Sequence, residues 1–510
     1  MKKWLILLSF LVFGFGKEYL VVVKIPLPIF YDRLAKVEEF IPCALLDNTV
    51  IGRISEEKIT KLSSFEYYLL SPIDLEKNYA FYFVTYPKEE RDYPIEEQLK
   101  NYGEILYNEG NTFLMKINLD NLRYLRDFEL CHLSLAKIVL PKASEISLSE
   151  NKDLNIGYPN PLIQQIIDQI TPSELAEFIR QLTGEKKCFV LGDSDSIYTR
   201  YATTNKNSTA IHYFYENLLS FNLDSVIFDS FNWWINNDSN VIGVKLGREY
   251  PNKYFILGGH IDNISEIPNV YAPGADDNGS GVVATLIAAK YLRRIPFKYT
   301  IKFIAWNCEE FGMLGSGAHA QKAYNQGDSI MGVINCDMIA CETSNLDSVW
   351  VYTGRRISSQ ALGDTMFVVN QRYNIGLNIK RSTRMPASDH LAYYSLGYNA
   401  CYVCEYDFCP DYHTTNDRII RPWFDTLYYC KIVKLVVATL ATLAIPDTEI
   451  IYIGEEKIKQ KRPTIKNPVL EIYTVTGQRV KKNKLRKGVY YLKERNLYFK
   501  RITYPLQRLK

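Results

Sequence analysis

Beyond its first sixteen residues the chain has no run of about 20 apolar residues, the length needed to span a bilayer. The most apolar later stretch, Ile432 to Ile445, is broken by Lys434 and reads as a buried helix. The remainder is therefore expected to be soluble. No CxxC pair is matched by a second at the spacing of a structural zinc module, which excludes a thiolate-zinc fold. No interleaving of aromatic and basic residues marks a nucleic-acid surface, so no nucleic-acid partner is expected. Apolar residues make up 47% and charged residues 23% of the chain. That balance excludes global disorder.

With 510 residues the chain is too long for one core, and two to four domains are expected. It opens on Lys2 and Lys3 and an apolar run from Trp4 to Phe15, the anatomy of a secretory signal. Gly14 and Gly16 supply small residues for cleavage, giving residues 1–16 as signal and a start near Lys17. An uncleaved lipid anchor is the rival, but no lipobox-like cysteine follows. The expected location is outside the cell or on its surface, with the periplasm as the alternative. Export permits disulfides among the ten cysteines. Cys401, Cys404 and Cys409 cluster most closely and are the candidates for a bridge.

Residues 17–140 contain a repeat. The segments 48–71 and 111–134 align without a gap and share eight of 24 positions. Each copy reads strand, short amphipathic helix, strand; in the first these are Val50–Ile54, Glu56–Leu62 and Tyr67–Leu70. A duplicated small α+β domain follows, since one copy could hardly bury its own face. It holds no cluster of acids, histidines or reactive thiols. A structural or chaperoning role is the plain reading, and an inhibitory propeptide the sharper one.

From 155 to 445 the pattern alternates. Helical spacing covers Leu162–Ile170 and Ser173–Leu182. Apolar strands (Tyr254–Leu257, Thr300–Ala305, Met331–Asn335, Val349–Tyr352, Ala400–Val403) then alternate with helices (Gly281–Leu292, Ser359–Tyr373, Trp423–Leu443). Such alternation predicts an α/β domain with a central, mostly parallel sheet. Residues 446–510 read as a small, basic all-β domain. From Ile451 to Lys510 there are 17 Lys and Arg against 4 Asp and Glu, so the rest of the chain is net acidic.

Five segments sit at or just after predicted strand ends, where open α/β sheets build their sites. The first is Gly258-Gly-His260-Ile-Asp262. His260 is a metal-ligand candidate, and Asp262 can take the proton of its other ring nitrogen. The second is Pro273-Gly-Ala-Asp276-Asp277-Asn278-Gly-Ser-Gly281, in which two adjacent acids need a cation or donors to be buried. The third, Trp306-Asn-Cys-Glu309-Glu310-Phe-Gly312, ends an extended strand. Neighbouring side chains there point different ways, so one glutamate can bind a metal while the other faces substrate. The fourth is Asn335-Cys-Asp337-Met338 and the fifth Tyr412-His413-Thr-Thr-Asn-Asp417. Together they offer imidazole and oxygen ligands without thiolate, a set suited to hydrolytic zinc. One bridging carboxylate would give each of two ions a three-ligand set. His132, His212 and His319 read as structural, and Cys308 and Cys336 as small buried residues.

These motifs, in type and order, resemble the M28-type zinc aminopeptidases, which include secreted bacterial leucine aminopeptidases. The resemblance spans about 200 to 440. It implies a zinc-exopeptidase α/β sandwich of the phosphorylase/hydrolase-like kind and two Zn2+ as cofactors. It makes Asp277 the bridging ligand, with His260 and Asp337 on one ion and Glu310 and His413 on the other. Glu309 becomes the general base that takes a proton from the attacking water and passes it to the leaving amine. Tyr412 becomes the donor to the oxyanion. Asp262, Asp389 and Asp417 support the ligands from behind, with His390 beside them. The resemblance also implies a cis peptide between Asp277 and Asn278. The activity implied is removal of N-terminal residues from peptides and proteins. A carboxypeptidase or dipeptidase of the same superfamily, a glutaminyl cyclase of the same fold and a non-catalytic surface-binding protein are the alternatives. At the far end, Asn467-Pro-Val-Leu-Glu-Ile-Tyr-Thr-Val-Thr-Gly477-Gln-Arg-Val and Leu485-Arg-Lys-Gly488-Val-Tyr-Tyr resemble a type IX secretion sorting domain. That implies the secretion machinery or the cell surface as a partner, although the segment is more basic than the pattern.

Overall fold

In the computed structural model, residues 157–447 are described almost throughout, with 234 and 235 excepted. Residues 17–132 are described in segments, residue 140 alone, and residues 471–504 as four short strands. The expected signal, residues 1–16, lies outside the described residues. The chain divides into two compact units at Asp447 and Thr448.

The first unit is built on an eight-stranded sheet. Its order is Ser225–Trp233, Asn236–Lys245, Tyr299–Trp306, Tyr250–His260, Ser329–Cys336, Ala400–Glu405, Ser348–Tyr352, Asn378–Ser382. The four central strands, from Tyr299–Trp306 to Ala400–Glu405, run parallel to one another. A hairpin adds two antiparallel strands at one side. Residues Phe255 to Leu257 and Val333 to Ile334 are buried, as expected for strands covered on both faces.

Helices Pro161–Gln169, Pro172–Leu182, Gly281–Leu292, Ile357–Arg372 and Thr426–Ala444 enclose one apolar core with this sheet. Thr171 and Asn160 cap the first two, their side chains accepting from the backbone N–H of Glu174 and Leu162. Thr426–Ala444 is long and apolar enough to cross a membrane, but 72% of it is buried inside the protein, the mark of a core helix. The predicted helices and strands of this domain all appear. Strands Ser225–Trp233 and Asn236–Lys245 and helices Asn205–Ser220 and Leu314–Gln326 join them.

The N-terminal segment forms two four-stranded antiparallel sheets. Their orders are Ile41–Leu46, Thr49–Ser55, Glu18–Lys24, Tyr67–Pro72 and Gly103–Glu109, Thr112–Asn118, Tyr79–Thr85, Glu129–His132. The two copies therefore repeat one topology, and the duplication extends to strands that precede the aligned segments. Glu56–Leu62 and Leu119–Tyr124 are 3-10 turns in both copies. Val21 and Val23 join a cluster with Ile256 and Ile304 of the large sheet and Tyr393 of helix His390–Ser395. Leu20 and Val22 share another with Phe81, Phe83, Met313, Ala387 and Leu391.

The second unit contains an antiparallel sheet of order Arg479–Val480, Glu471–Thr474, Gly488–Glu494, Leu497–Tyr504.

Candidate metal centre

The parallel strands deliver the site. Tyr250–His260 ends on His260, and Tyr299–Trp306 hands directly to the segment carrying Glu309 and Glu310. Ser329–Cys336 is followed at once by Asp337. Asp277 sits in the turn Ala275–Ser280 that opens helix Gly281–Leu292. That helix approaches closely because position 281 is glycine: a Cβ there would lie 2.0 Å from the carbonyl oxygen of Cys336. His413 comes from the loop beyond Ala400–Glu405, with its backbone in the left-handed region (φ 55°).

Segments separated by more than 150 residues thus converge. His260 Nε2 lies 3.3 Å from Asp277 Oδ1 and 3.2 Å from Asp337 Oδ1. His413 Nε2 lies 3.0 Å from Asp277 Oδ2 and 3.1 Å from Glu310 Oε2. Asp277 therefore turns one oxygen to each histidine. His260, Asp277 and Glu310 each present a ligand atom within 4.8 Å of the others. Glu310 Oε1 is buried with no hydrogen-bond partner among the described residues. A buried carboxylate oxygen left without a donor is costly unless a cation compensates it. The donor set, two imidazoles and three carboxylates, fits zinc.

A surrounding layer of donors holds these groups. The Asp262 carboxylate accepts from the backbone N–H of Glu309 (2.9 Å) and of Glu310 (3.1 Å). His260 Nδ1 lies 3.2 Å from the Asp262 backbone oxygen and 3.7 Å from its carboxylate. The Asp262 side chain thus orients the glutamate pair, while its backbone is the nearer acceptor for His260. Asp417 accepts from the N–H of Asp276 and of Asp277, each at 2.9 Å. Ser388 donates to Asp337 Oδ2 at 2.6 Å and is itself fixed by Asn335. The Asp277–Asn278 peptide is cis. Asn278 spans the turn, accepting from Gly281 N–H and donating to the Cys336 carbonyl.

The electrostatics follow from burial and crowding. Burial pulls the His413 imidazole down, but Glu310 and Asp277 carry it up to about 10. Burial likewise opposes the charge on His260, and Asp337, Glu309, Asp262 and Asp277 raise it well above the usual histidine range. Burial would raise Asp277, yet the two histidines hold it below an ordinary carboxylate. Burial brings Glu310 to about 7 and lifts Glu309 well above its usual value. Metal-free, the cluster balances its charge with protons on imidazole.

The other sequence candidates are placed as follows. Tyr412 stacks on His413, with ring centroids 3.7 Å apart. Asp389 is fully buried and held at about 7 by burial. His390 is fully buried and stacked on Tyr402, and burial pushes it down to about 3. His319 faces the Tyr393 hydroxyl at 2.7 Å, and His212 bonds the Ser208 carbonyl within its helix. The side chain of His132 lies outside the described residues. The expected bridge among Cys401, Cys404 and Cys409 is not formed; all three are free thiols. Cys401 and Cys404 stand three apart on one strand, so the pleat sends them to opposite faces.

Sequence reasoning missed three groups. Glu405 backs Asp276 in a buried acid pair and accepts from the N–H of Cys341 and of Cys409. Ser388 steadies Asp337. Arg200 is wholly buried behind the site. A lone arginine between Thr199 and Tyr201 carries no local signal; only its carbonyl partners reveal it.

Residues 240–434 match Peptidase family M28. They form a Peptidase family M28 domain. Within the M28 match fall all five candidate ligands and Glu309. The probable leucine aminopeptidase 2 of Aspergillus fumigatus is 37% identical over 102 residues, 20% of this chain and 19% of that protein. Leucine aminopeptidase 1 of Paracoccidioides brasiliensis is 27% identical over 293 residues, 53% of this chain and 72% of that protein. The chain spans about a fifth of the length of the first curated relatives it matches. In fold, the M28 domain and its surroundings are similar to the LapA aminopeptidase of Legionella pneumophila. The TM-score is 0.54 at 20% identity, covering 73% of this chain and 99% of that one. LapB from the same organism gives 0.53 at 19% identity, covering 72% and 100%.

Proposed function

We propose that this chain is an exported, dinuclear zinc aminopeptidase that hydrolyses the first peptide bond of peptides and proteins. The observation that carries the reading is Asp277, whose two carboxylate oxygens serve two histidines, each also facing a second carboxylate. His260, Asp277 and Asp337 would hold one zinc, and Asp277, Glu310 and His413 the other. Two bound zinc ions supply Lewis acidity toward a carbonyl and ease deprotonation of water near neutral pH.

The chain's own residues do the rest. Glu309 is half-buried and its carboxyl is raised by withdrawal from water, which makes it a stronger proton acceptor than an exposed carboxylate. It takes that proton from the attacking water and passes it to the leaving amine. Asp262 fixes the backbone from which Glu309 and Glu310 project. Tyr412, aligned by its stack on His413, would donate its hydroxyl to the oxyanion. Residues 1–16 are read as the export signal and the basic tail as a sorting or surface-attachment module.

Zinc content of the purified full chain, measured beside hydrolysis of aminoacyl-anilides with and without chelator, tests the reading. Two zinc per chain and chelator-sensitive release of free amino acid are expected. A zinc-loaded protein that cleaves no aminoacyl-anilide, or that only cyclises N-terminal glutamine, would overturn it.

A further inference from the structure

Resting on the dinuclear reading above, we propose that Arg200 is a positioning residue that sets the placement of His260 against the bridging Asp277 by tying together the segments that carry these ligands. Arg200 is fully buried, yet among the described residues its guanidinium meets no carboxylate directly. Its donors go to backbone carbonyls instead. Nε donates to Ile261 at 2.7 Å, next to His260. Nη2 donates to Gly274 at 2.9 Å, and Nη1 to Pro273 and, at 3.5 Å, to Leu182. One rigid fork therefore grips both the end of the His260 strand and the start of the Asp277 turn.

The same residue reaches the third segment through its backbone. Its N–H donates to Asn263 Oδ1, and Asn263 Nδ2 donates to the Ala272 carbonyl. Its carbonyl accepts from Asn207, which forms a reciprocal amide pair with Asn307. Asn307 begins the segment that bears Glu309 and Glu310. The cradle is built for this contact. Gly274 has φ 53°, and a Cβ there would lie 2.4 Å from Asn263 Nδ2, 2.4 Å from the Asp277 carbonyl oxygen and 2.9 Å from Arg200 Nη2. Burial works against the charge, and Asp417, Asp277, Asp262 and Glu310 restore it from around the site.

A buried guanidinium bonded only to carbonyls is an expensive way to hold loops unless their spacing matters. The separation it fixes is that between His260 and Asp277. Lysine keeps the charge but lacks the fork, so Arg200→Lys separates geometry from electrostatics.

The experiment uses the full chain with Arg200→Lys and, as a second variant, Asn263→Ala, which removes the side chain that joins the Arg200 N–H to the Ala272 carbonyl. Zinc affinity is measured by competition with a chromophoric chelator, apo-protein melting by heat, and site geometry by the visible spectrum after cobalt(II) loading. Both variants are expected to lose about 10–100-fold in affinity for at least one zinc, with an altered cobalt spectrum. Variants that melt earlier but keep wild-type zinc affinity and cobalt spectrum show a merely structural arginine and overturn the proposal. If Arg200→Lys fails to fold, a folded Asn263→Ala variant decides on the same two readouts. Failure of the wild type to bind two zinc ions would instead overturn the dinuclear reading.

Discussion

Asp277 Oδ2 lies 3.0 Å from Nε2 of His413, and the other oxygen of that carboxylate is turned toward His260. A residue shared in this way should not behave like a ligand of one half-site. Asp277→Asn is expected to abolish binding of both zinc ions. Asp337→Asn, on the His260 side alone, should leave one. Elemental analysis after dialysis distinguishes them. Two zinc ions retained in Asp277→Asn would remove the bridge from the scheme.

Glu309 is close enough to raise His260, but among the described residues the carboxylates that face the two imidazoles at contact distance are those of Asp262, Asp277, Asp337 and Glu310. Glu309→Gln keeps shape and removes the proton acceptor. It should bind two zinc ions as the wild type does, while kcat falls by about 10²–10⁴-fold. Steady-state kinetics on an aminoacyl-anilide, with zinc content measured on the same sample, check this. Full activity in a two-zinc Glu309→Gln protein would contradict the assigned base.

The protonation pattern sets the pH dependence of metal loading. In the metal-free protein His413 is raised to about 10 and so carries a proton at neutral pH, and the surrounding carboxylates raise His260 well above the usual histidine range. Glu310, raised to about 7, is partly protonated there too. Ligands must lose these protons to bind zinc, so apparent affinity should rise with pH through the neutral range. The same shifts govern stability without metal. Groups raised on folding stabilise below their unfolded values and lose that contribution as pH climbs through the folded ones. Metal-free protein should therefore lose stability between about pH 6.5 and 10, as His413 deprotonates. Calorimetric zinc titration at pH 7.5 in buffers of different ionisation enthalpy should report about two protons released per chain. Equal heats in all buffers would contradict the protonated cluster.

The ligands were legible because each is announced locally. A buried strand ends, and glycine, acid or histidine follows within a few residues, as in Gly258-Gly-His260 and Asn335-Cys-Asp337. The central parallel strands were legible for the same reason, being continuous apolar runs. The hairpin Ser225–Trp233 and Asn236–Lys245 was not, because an edge pair leaves Ile227 and Phe228 half out in solvent and blurs the pattern. The layer behind the ligands was legible only in part. Asp262 stood out beside His260, but its hold on the glutamate backbone spans 47 residues. Arg200 reaches three of its carbonyl partners 61 to 74 positions away, and nothing near it in sequence hints at them. Long-range hydrogen bonds to backbone leave no side-chain pattern to read.

The duplicated N-terminal segment shares buried surface with the segments that bear the site. Leu20, Val22, Phe81 and Phe83 lie in one cluster with Met313, which follows the Glu309–Glu310 segment, and with Ala387 and Leu391, which flank Ser388 and Asp389. Val21 and Val23 lie in another with Ile256 and Ile304 of the large sheet and Tyr393 of helix His390–Ser395. Each large apolar side chain re-exposed costs about 1.5–3 kcal/mol, so losing a few exceeds the margin of a typical domain. A chain beginning at residue 155 should therefore be recovered in aggregates. If soluble, it should melt well below the full chain and lose kcat as the segments at Met313 and Ala387 loosen. A detachable inhibitory segment predicts the reverse: a truncated protein as stable as the parent and more active. Melting temperature and aminoacyl-anilide turnover of the two proteins, measured side by side, separate the outcomes, because only a structural buttress links the loss of one to the loss of the other.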